Sequence, residues 1–524
     1  MSASEKEKPA NEFSGLRGIF FPIYNYEIKK FLPMGIMMMC ILFVYNIVRD
    51  TKDTLVVNAP GSGAECLSFL KLYGVTPAAI LFMVLFVKLA NIMEREKLFY
   101  AILTPFLIFF GVFGFIIYPC TQSLHMSLET IKSLQASYPN LHWFIPNIGN
   151  WSFSLFYILS ELWGSVILSM MFWQFANEIT KINEAKRFYG LFGMVGNVGL
   201  LIAGPTIIFC AKYAKSLQQT MDSTLDKHTL ENIIFGYNLK FLMSTVIIAG
   251  IIIAYTYRWM NKHVLTDPLL YQPGEGSAKK KKPKMSIGES FKYILSNPYL
   301  GLIAVLVLSY GVAINLVEGV WKGQIKIAFP DKNDYNAFMG QFTAWTGFIT
   351  ILLMIIGNNI LRRLSWLSSA IITPIMVLVT SVIFFYVVWD GSTHDPMTPL
   401  LGVTVVMVAV IVGQIQNVLS KGTKYSLFDS TKQMAYIPLD PEAKVKGQAA
   451  VEVIGGRAGK SGGAFVQSTL LAFIGGSVSL ASLAHILGPL VIVICLIWIV
   501  SVFGLNKRFL ALTSSSTQSS SEAI

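Results

Sequence analysis

The sequence predicts an all-α polytopic membrane protein, and three observations carry that prediction. Of 524 residues, 54% are hydrophobic and only 13% charged, against about 25% charged in ordinary soluble domains. Mean hydropathy is +0.57, which suits a chain whose apolar faces are covered by lipid rather than water. The apolar residues also gather into runs of about 20, long enough to cross a hydrocarbon core roughly 30 Å thick.

About twelve such runs are read, near 31–53, 74–93, 98–119, 151–176, 187–211, 235–260, 298–323, 336–359, 367–389, 397–420, 447–474 and 484–505. The eleventh is the least apolar, because Arg457, Lys460 and several glycines interrupt it. It is kept because an even number of spans places both termini on one side, and the loop charges agree. With the N-terminus cytoplasmic, the inside segments hold Lys29–Lys30, Lys181 to Arg187, Lys279 to Lys284, Arg362–Arg363, Lys421 to Lys446 and Lys507–Arg508. The outside loop 120–150 holds only Lys132. This asymmetry is the positive-inside pattern.

Residues 1–30 form a polar cytoplasmic segment with neither the short apolar core and cleavage site of a secretory signal nor the bias of a transit peptide. The first span therefore reads as an uncleaved signal, which favours a bacterial inner membrane. Six helices fill 31–260. The linker 261–297 contains PGEGSAKKKKPK (273–284), a solvated basic loop of the positive-inside kind rather than a nucleic-acid arm. Six more helices fill 298–505, and the Ser-rich tail 506–524 is predicted to be disordered and cytoplasmic. The five scattered cysteines include no CxxC or Cys/His cluster, so neither a disulfide framework nor a metal or other cofactor is expected.

The two sets of six echo each other. Asn46-Ile-Val-Arg49-Asp-Thr-Lys52 ends the first helix, and Asn315-Leu-Val-Glu318-Gly-Val-Trp-Lys322 ends the seventh. Glu184-Ala-Lys186 follows helix four, and Glu442-Ala-Lys444 follows helix ten. Two parallel six-helix repeats around a central cavity make a major-facilitator-like arrangement.

Ionisable residues inside such helices cost at least about 2.5–3.5 kcal/mol each near the bilayer centre, so they line cavities or form pairs. Arg49 and Lys52 share a face near the end of helix one; they either meet a cavity or snorkel to the membrane edge. Glu161 and Glu318 lie in apolar surroundings in helices four and seven, and each needs a partner. Arg457 and Lys460 stand three apart in a glycine-rich stretch of helix eleven. That stretch departs from the Walker A pattern, which needs Gly where Ile454 stands, and no strand precedes it. Cations outnumber acids among these sites, so the residues point to a transported anion, with phosphate the leading group. An enzyme would need an acid–base or nucleophilic constellation, and the six histidines gather into none. A receptor or scaffold is disfavoured by the lack of a sizeable extramembrane segment and by the charges within the helices.

At these residues the sequence resembles the nucleotide transporter (ATP/ADP translocase) family of plastids and obligate intracellular bacteria such as chlamydiae. The matching segments are RDTKDTLVV (49–57), SELWGSV (160–166), FANEIT (175–180), NLVEGVWK (315–322), KYSLFD (424–429), MAYIPLD (434–440) and GKSGGA (459–464). The resemblance implies counter-exchange of ATP and ADP across the bilayer, with or without phosphate, importing ATP from a host. The family's important charges fall on Lys52, Glu161, Glu318 and Lys460, and Asn197 falls on a position linked to substrate handling. Asn197 equally suits a packing role between helices. Lys52, Lys460, Arg49 and Arg457 are thus expected to bind phosphates, with Glu161 and Glu318 as pairing and gating groups. The competing expectation within the family is proton-coupled net import of nucleoside triphosphates, with Glu161 or Glu318 carrying the proton.

Overall fold

The computed structural model describes residues 23–220, 226–271, 296–393, 399–400, 403–439 and 441–521, so most of the predicted 1–30 segment, most of the predicted 261–297 linker and the end of the tail lie outside the described residues. Twelve long helices account for nearly all of it. They are α1 (Asn25–Val57), α2 (Cys66–Ile92), α3 (Arg95–Leu124), α4 (Trp151–Ile179), α5 (Ile182–Ser216), α6 (Lys227–His263), α7 (Pro298–Ala328), α8 (Lys332–Arg363), α9 (Trp366–Thr393), α10 (Val405–Ala435), α11 (Pro441–Ile474) and α12 (Ala484–Ser521). Eleven contain a stretch long and apolar enough to cross a membrane. In α11 many residues before Ser461 have side chains outside the described ones, and the apolar stretch that is described is Ser461–Ile474. This is a multi-pass membrane protein. A two-residue antiparallel ladder, Pro399–Leu400 with Val403–Thr404, is the only strand pairing among the described residues.

Several helix boundaries differ from expectation, and three of them have a local reason. Helix α2 starts at Cys66 rather than near 74, and its segment Leu70–Val75 is wound with wider π-type turns. Helix α10 continues past 420 to Ala435. Lys421, expected in a cytoplasmic segment, is therefore helical; Lys424 and Lys432 further along both pair with Asp429, so their charges do not end the helix. The tail from 506, expected to be disordered, carries α12 on to Ser521. Its first turns are held by Phe509, stacked on Trp366 with centroids 5.3 Å apart.

The packing repeats. In the first set α1 lies against α4, α5 and α6; in the second, α7 lies against α10, α11 and α12. The sets meet where α5 runs along α8 and where α11 crosses α2. Small residues make these approaches possible. A Cβ on Gly204 of α5 would sit 2.6 Å from the Gly340 carbonyl of α8, and one on Gly311 of α7 would sit 2.7 Å from the Gly459 Cα of α11.

One end of the bundle ties the two sets together. There Trp143 donates its indole N–H to the Val478 carbonyl at 2.8 Å, and the Gly476 N–H donates to the Pro139 carbonyl at 2.9 Å. The Leu480 N–H donates to the Glu65 carboxylate at 2.9 Å, and Lys326 donates to the Ser62 carbonyl. The partners come from the α1–α2, α3–α4 and α11–α12 connections and from the end of α7, all at the same end.

Two outcomes follow. Replacing Gly204 with Val overpacks the α5–α8 contact and should destabilise the protein by about 1–3 kcal/mol, read as a lowered unfolding temperature in detergent; an unchanged midpoint would refute the close contact. The second concerns pH. Burial pushes the Glu65 carboxyl above the usual carboxylate range, so its contribution to the folded state declines as pH climbs through the ordinary carboxyl value toward the raised one. Glu65→Gln keeps an acceptor for Leu480 and removes the buried charge. Its unfolding temperature should gain on the wild type between about pH 4 and 7; a constant offset across that window would count against the assignment.

Candidate functional site

A run of acids and bases crosses the middle of the bundle and joins its two sets of helices. Glu161 of α4 pairs with Lys52 of α1 at 3.1 Å, and Lys52 pairs with Asp53 at 2.8 Å. Asp53 turns its other oxygen to Lys322 of α7 at 2.8 Å, and Lys322 reaches Glu318, one helical turn earlier, at 3.2 Å. The interior members are sealed: the side chains of Lys52, Asp53 and Lys322 are 2%, 2% and 3% exposed. The flanking acids are open, at 18% for Glu161 and 19% for Glu318. The chain is thus sealed in its centre and partly exposed at its two ends.

Helix geometry puts these groups together. Lys52 and Asp53 follow each other near the end of α1, so they point in different directions, one toward α4 and one toward α7. Lys52 also sits over the Tyr157 ring, 3.7 Å from its centroid, one turn before Glu161 on α4. Just beyond Glu161, α4 loosens into π-type turns over Gly164–Phe172; α10, the fourth helix of the second set, does the same over Lys424–Phe428. A Cβ on Gly164 would sit 2.6 Å from the Tyr45 ring, so glycine lets α4 approach α1 here.

Arg49 is held differently. Its guanidinium meets Asp50 at 3.1 Å and donates to the Thr343 hydroxyl of α8 at 3.1 Å, while Thr343 donates to Asp50. Asn336 of α8 donates to the Thr54 hydroxyl of α1 at 3.1 Å. Two further lysines border the cluster. Lys71 of α2 donates to the Asn315 side-chain carbonyl of α7 at 2.8 Å. Lys421 of α10 lies over the Phe342 ring, 4.4 Å from its centroid. Glu318 feels the charges of Lys322, Lys421, Lys71 and Arg49 together. A cation over an aromatic ring gains about 0.5–2 kcal/mol, less than the several kcal/mol that dehydrating an ammonium costs. Lys421 is therefore only partly compensated by Phe342.

The sequence-predicted residues divide as follows. Lys52, Glu161 and Glu318 join one ion-pair chain, and Arg49 sits beside it. Asn197 donates to the Gly193 carbonyl at 2.8 Å and lies against Met354 of α8, so it is buried at a helix contact. The side chains of Arg457 and Lys460 lie outside the described residues; the backbone of α11 between them packs on α7 at Gly459. Sequence reasoning passed over Asp53 and Lys322 as members of the site, and over Lys71 and Lys421. The signal for the first two was present: the repeat match that sets Asn46 opposite Asn315 also sets Asp53 opposite Lys322. Asn46 and Asn315 make the same bond in the structure, each donating to the carbonyl four residues back, at 2.7 and 2.8 Å.

A separate cavity of about 710 Å³ lies at the tied end, lined by Pro60, Tyr118, His125, Lys240 and Lys332 among others. Its lysines are engaged, Lys332 with Asn232 at 2.6 Å and Lys240 over the Tyr237 ring. Burial pushes the His125 imidazole down to about 4, so it is neutral near pH 7. Among the described residues no group of three or more His, Cys, Asp or Glu is placed to hold a metal.

The ion-pair chain has a measurable consequence. Removing one member of a buried pair strands the other and costs about 3–5 kcal/mol. Asp53→Asn and Lys322→Met should each lower the unfolding temperature in detergent, and the double variant should be more stable than either. Additive losses would mean that the two side chains are not coupled.

Comparison with known proteins places these features in context. Residues 6–509 match the family model described as TLC ATP/ADP transporter. The chain is 50% identical over 520 residues to ADP,ATP carrier protein 1 of Chlamydia trachomatis, covering 99% of this chain and 95% of that protein. It is 47% identical over 510 residues to ADP,ATP carrier protein 1 of Rickettsia bellii, covering 97% and 98%. Among solved structures, a bacterial homologue of the iron transporter ferroportin in an inward-facing state superposes with a TM-score of 0.52 at 13% identity, covering 94% of this chain and 100% of that one. A POT family transporter also gives 0.52, at 11% identity, covering 91% and 96%. At these identities the two structures support the fold alone, and it is the major-facilitator-like one.

Proposed function

The chain belongs to the TLC ATP/ADP transporter family, and on that premise we infer that it exchanges ATP for ADP across a membrane by alternating access. It is a transporter and not an enzyme. The observation that carries the mechanism is the buried chain from Glu161 through Lys52, Asp53 and Lys322 to Glu318, which spans both sets of helices.

The loop charges support an orientation with both termini cytoplasmic, and the first span, read as an uncleaved signal, supports a bacterial inner membrane. In that orientation the tied end faces outward, and the central cluster is reached from the cytoplasm. A nucleotide entering between the two sets of helices brings its phosphates toward Arg49, Lys52, Arg457 and Lys460. Glu161 and Glu318, at the partly exposed ends of the chain, release or recapture the lysines as the phosphates arrive or leave. In bacteria living inside a host cell, such exchange brings in host ATP and returns ADP.

Strict exchange follows from the same charges. Opening the tied end parts α1 from α7 and so separates Asp53 from Lys322. In an empty carrier that leaves dehydrated ions without partners, a barrier of several kcal/mol. Phosphates seated beside the lysines replace the lost carboxylate and lower that barrier, so only a loaded carrier turns over.

The test is uptake of labelled ATP into proteoliposomes, preloaded with ADP or empty, with and without a proton gradient. Uptake confined to ADP-loaded vesicles and indifferent to the gradient is expected. Uptake into empty vesicles that a protonophore abolishes would overturn exchange in favour of proton-driven import. Lys52→Gln and Lys460→Gln should each slow exchange by about tenfold or more, the scale of a lost charged hydrogen bond. Asp53→Asn removes the barrier itself, so net uptake into empty vesicles should rise above the wild-type background even as exchange slows.

A further inference from the structure

Lys52 already lies between two carboxylates, and Arg49 lies on a third. Two other lysines at the same cluster hold no acid. Among the described residues neither Lys71 nor Lys421 has a carboxylate within ion-pair distance. Lys71 spends one of its three donors on the neutral Asn315 amide, and Lys421 rests on the Phe342 ring. Both are half-buried, so both reach solvent, whereas Lys52 and Lys322 are sealed.

We propose that Lys71 on α2 and Lys421 on α10 grip the phosphates of the transported nucleotide, one from each set of helices. The proposal rests on the exchange reading and adds residues to its site. Position supports it: Asn315, which holds Lys71, stands one turn before Glu318 on α7. Phe342, which holds Lys421, precedes Thr343, the residue that links Arg49 and Asp50. The two lysines therefore approach Glu318 from different helices, and Glu318 feels both charges.

A structural reading of each lysine fits less well. An ammonium inside a membrane protein needs charge compensation, and a ring face or one amide oxygen supplies only part of it. A polyphosphate supplies the rest, because it offers several anionic oxygens along one chain and can meet two separated cations at once. Binding would then draw α2 toward α10, across the two sets. A ligand that pulls the sets together in this way is what a carrier that moves only when loaded requires.

The experiment is equilibrium binding of labelled ATP and ADP to the purified full chain in detergent. Lys71→Gln and Lys421→Gln should each raise Kd by about tenfold or more, while Lys71→Arg and Lys421→Arg keep the charge and stay within about threefold. The salt dependence of ATP binding should flatten in the Gln variants, a change that a packing defect does not produce. Inorganic pyrophosphate, which has no base or ribose, should compete with ATP on the wild type. Lys215→Gln, whose partner Asp334 is on the surface, serves as the control and should bind as the wild type does. Wild-type affinity in both Gln variants overturns the proposal and leaves exchange standing. Should the Gln variants fail to fold, pyrophosphate that does not compete with ATP on the wild type overturns it instead. A wild type that binds neither ATP nor ADP defeats the exchange reading itself.

Discussion

Everything in the middle of this protein depends on one carboxylate shared by two lysines. Asp53 meets Lys52 and Lys322 at 2.8 Å each, in a place where none of the three side chains is more than 3% exposed. Ions are not kept in such a place by water, so each must be kept by another ion. That requirement explains why α1 and α7 meet where they do, and why Glu161 and Glu318 must cap the run. It also explains why the contact is neither a loose salt bridge nor an apolar seam. An apolar seam would be at least as stable, but no substrate charge could break it.

Around this contact the fold divides its labour. Small residues bring α5 to α8 and α7 to α11 within backbone distance, giving surfaces that can tilt against each other without leaving gaps. The fourth helix of each set carries a loosened π-type segment near the charges. Such segments often mark functional sites in helices, and here they lie where α4 delivers Glu161 and α10 delivers Lys421. The hydrogen bonds at the tied end are modest and mostly to backbone carbonyls. The ion-pair chain is the connection between the sets that carries opposite charges in a sealed place, so it is the one that a charged ligand can rewrite.

Much of this was legible in the sequence, for a definite reason. A charge inside an apolar run stands out, so Lys52, Glu161 and Glu318 were visible as charges in need of partners, and the runs themselves located the helices. Lys71 and Lys421 were hidden by the same logic, because each lies just outside the run that was read as its helix. The hydropathy of α2 and α10 is interrupted where the protein keeps charges, so the helices seemed shorter than they are. Asp53 was visible only as a neighbour of Lys52. Its link to Lys322 depends on how two helices far apart in sequence approach each other, and the faint repeat between their ends was the one trace of it. Asn197 was read both as a family position and as a packing residue, and its contacts with Gly193 and Met354 are those of a helix contact.

The repeat has a consequence for self-recognition. The equivalent places on α1 and α7 hold residues of opposite sign, Asp53 and Lys322, and they face each other across the join. Two copies of the first six helices, brought together in the same manner, would set aspartate against aspartate; two copies of the last six would set lysine against lysine. The duplicated architecture has thus lost the ability to close as a symmetric pair. At this join each six-helix unit is matched in charge by the other kind and not by a second copy of itself.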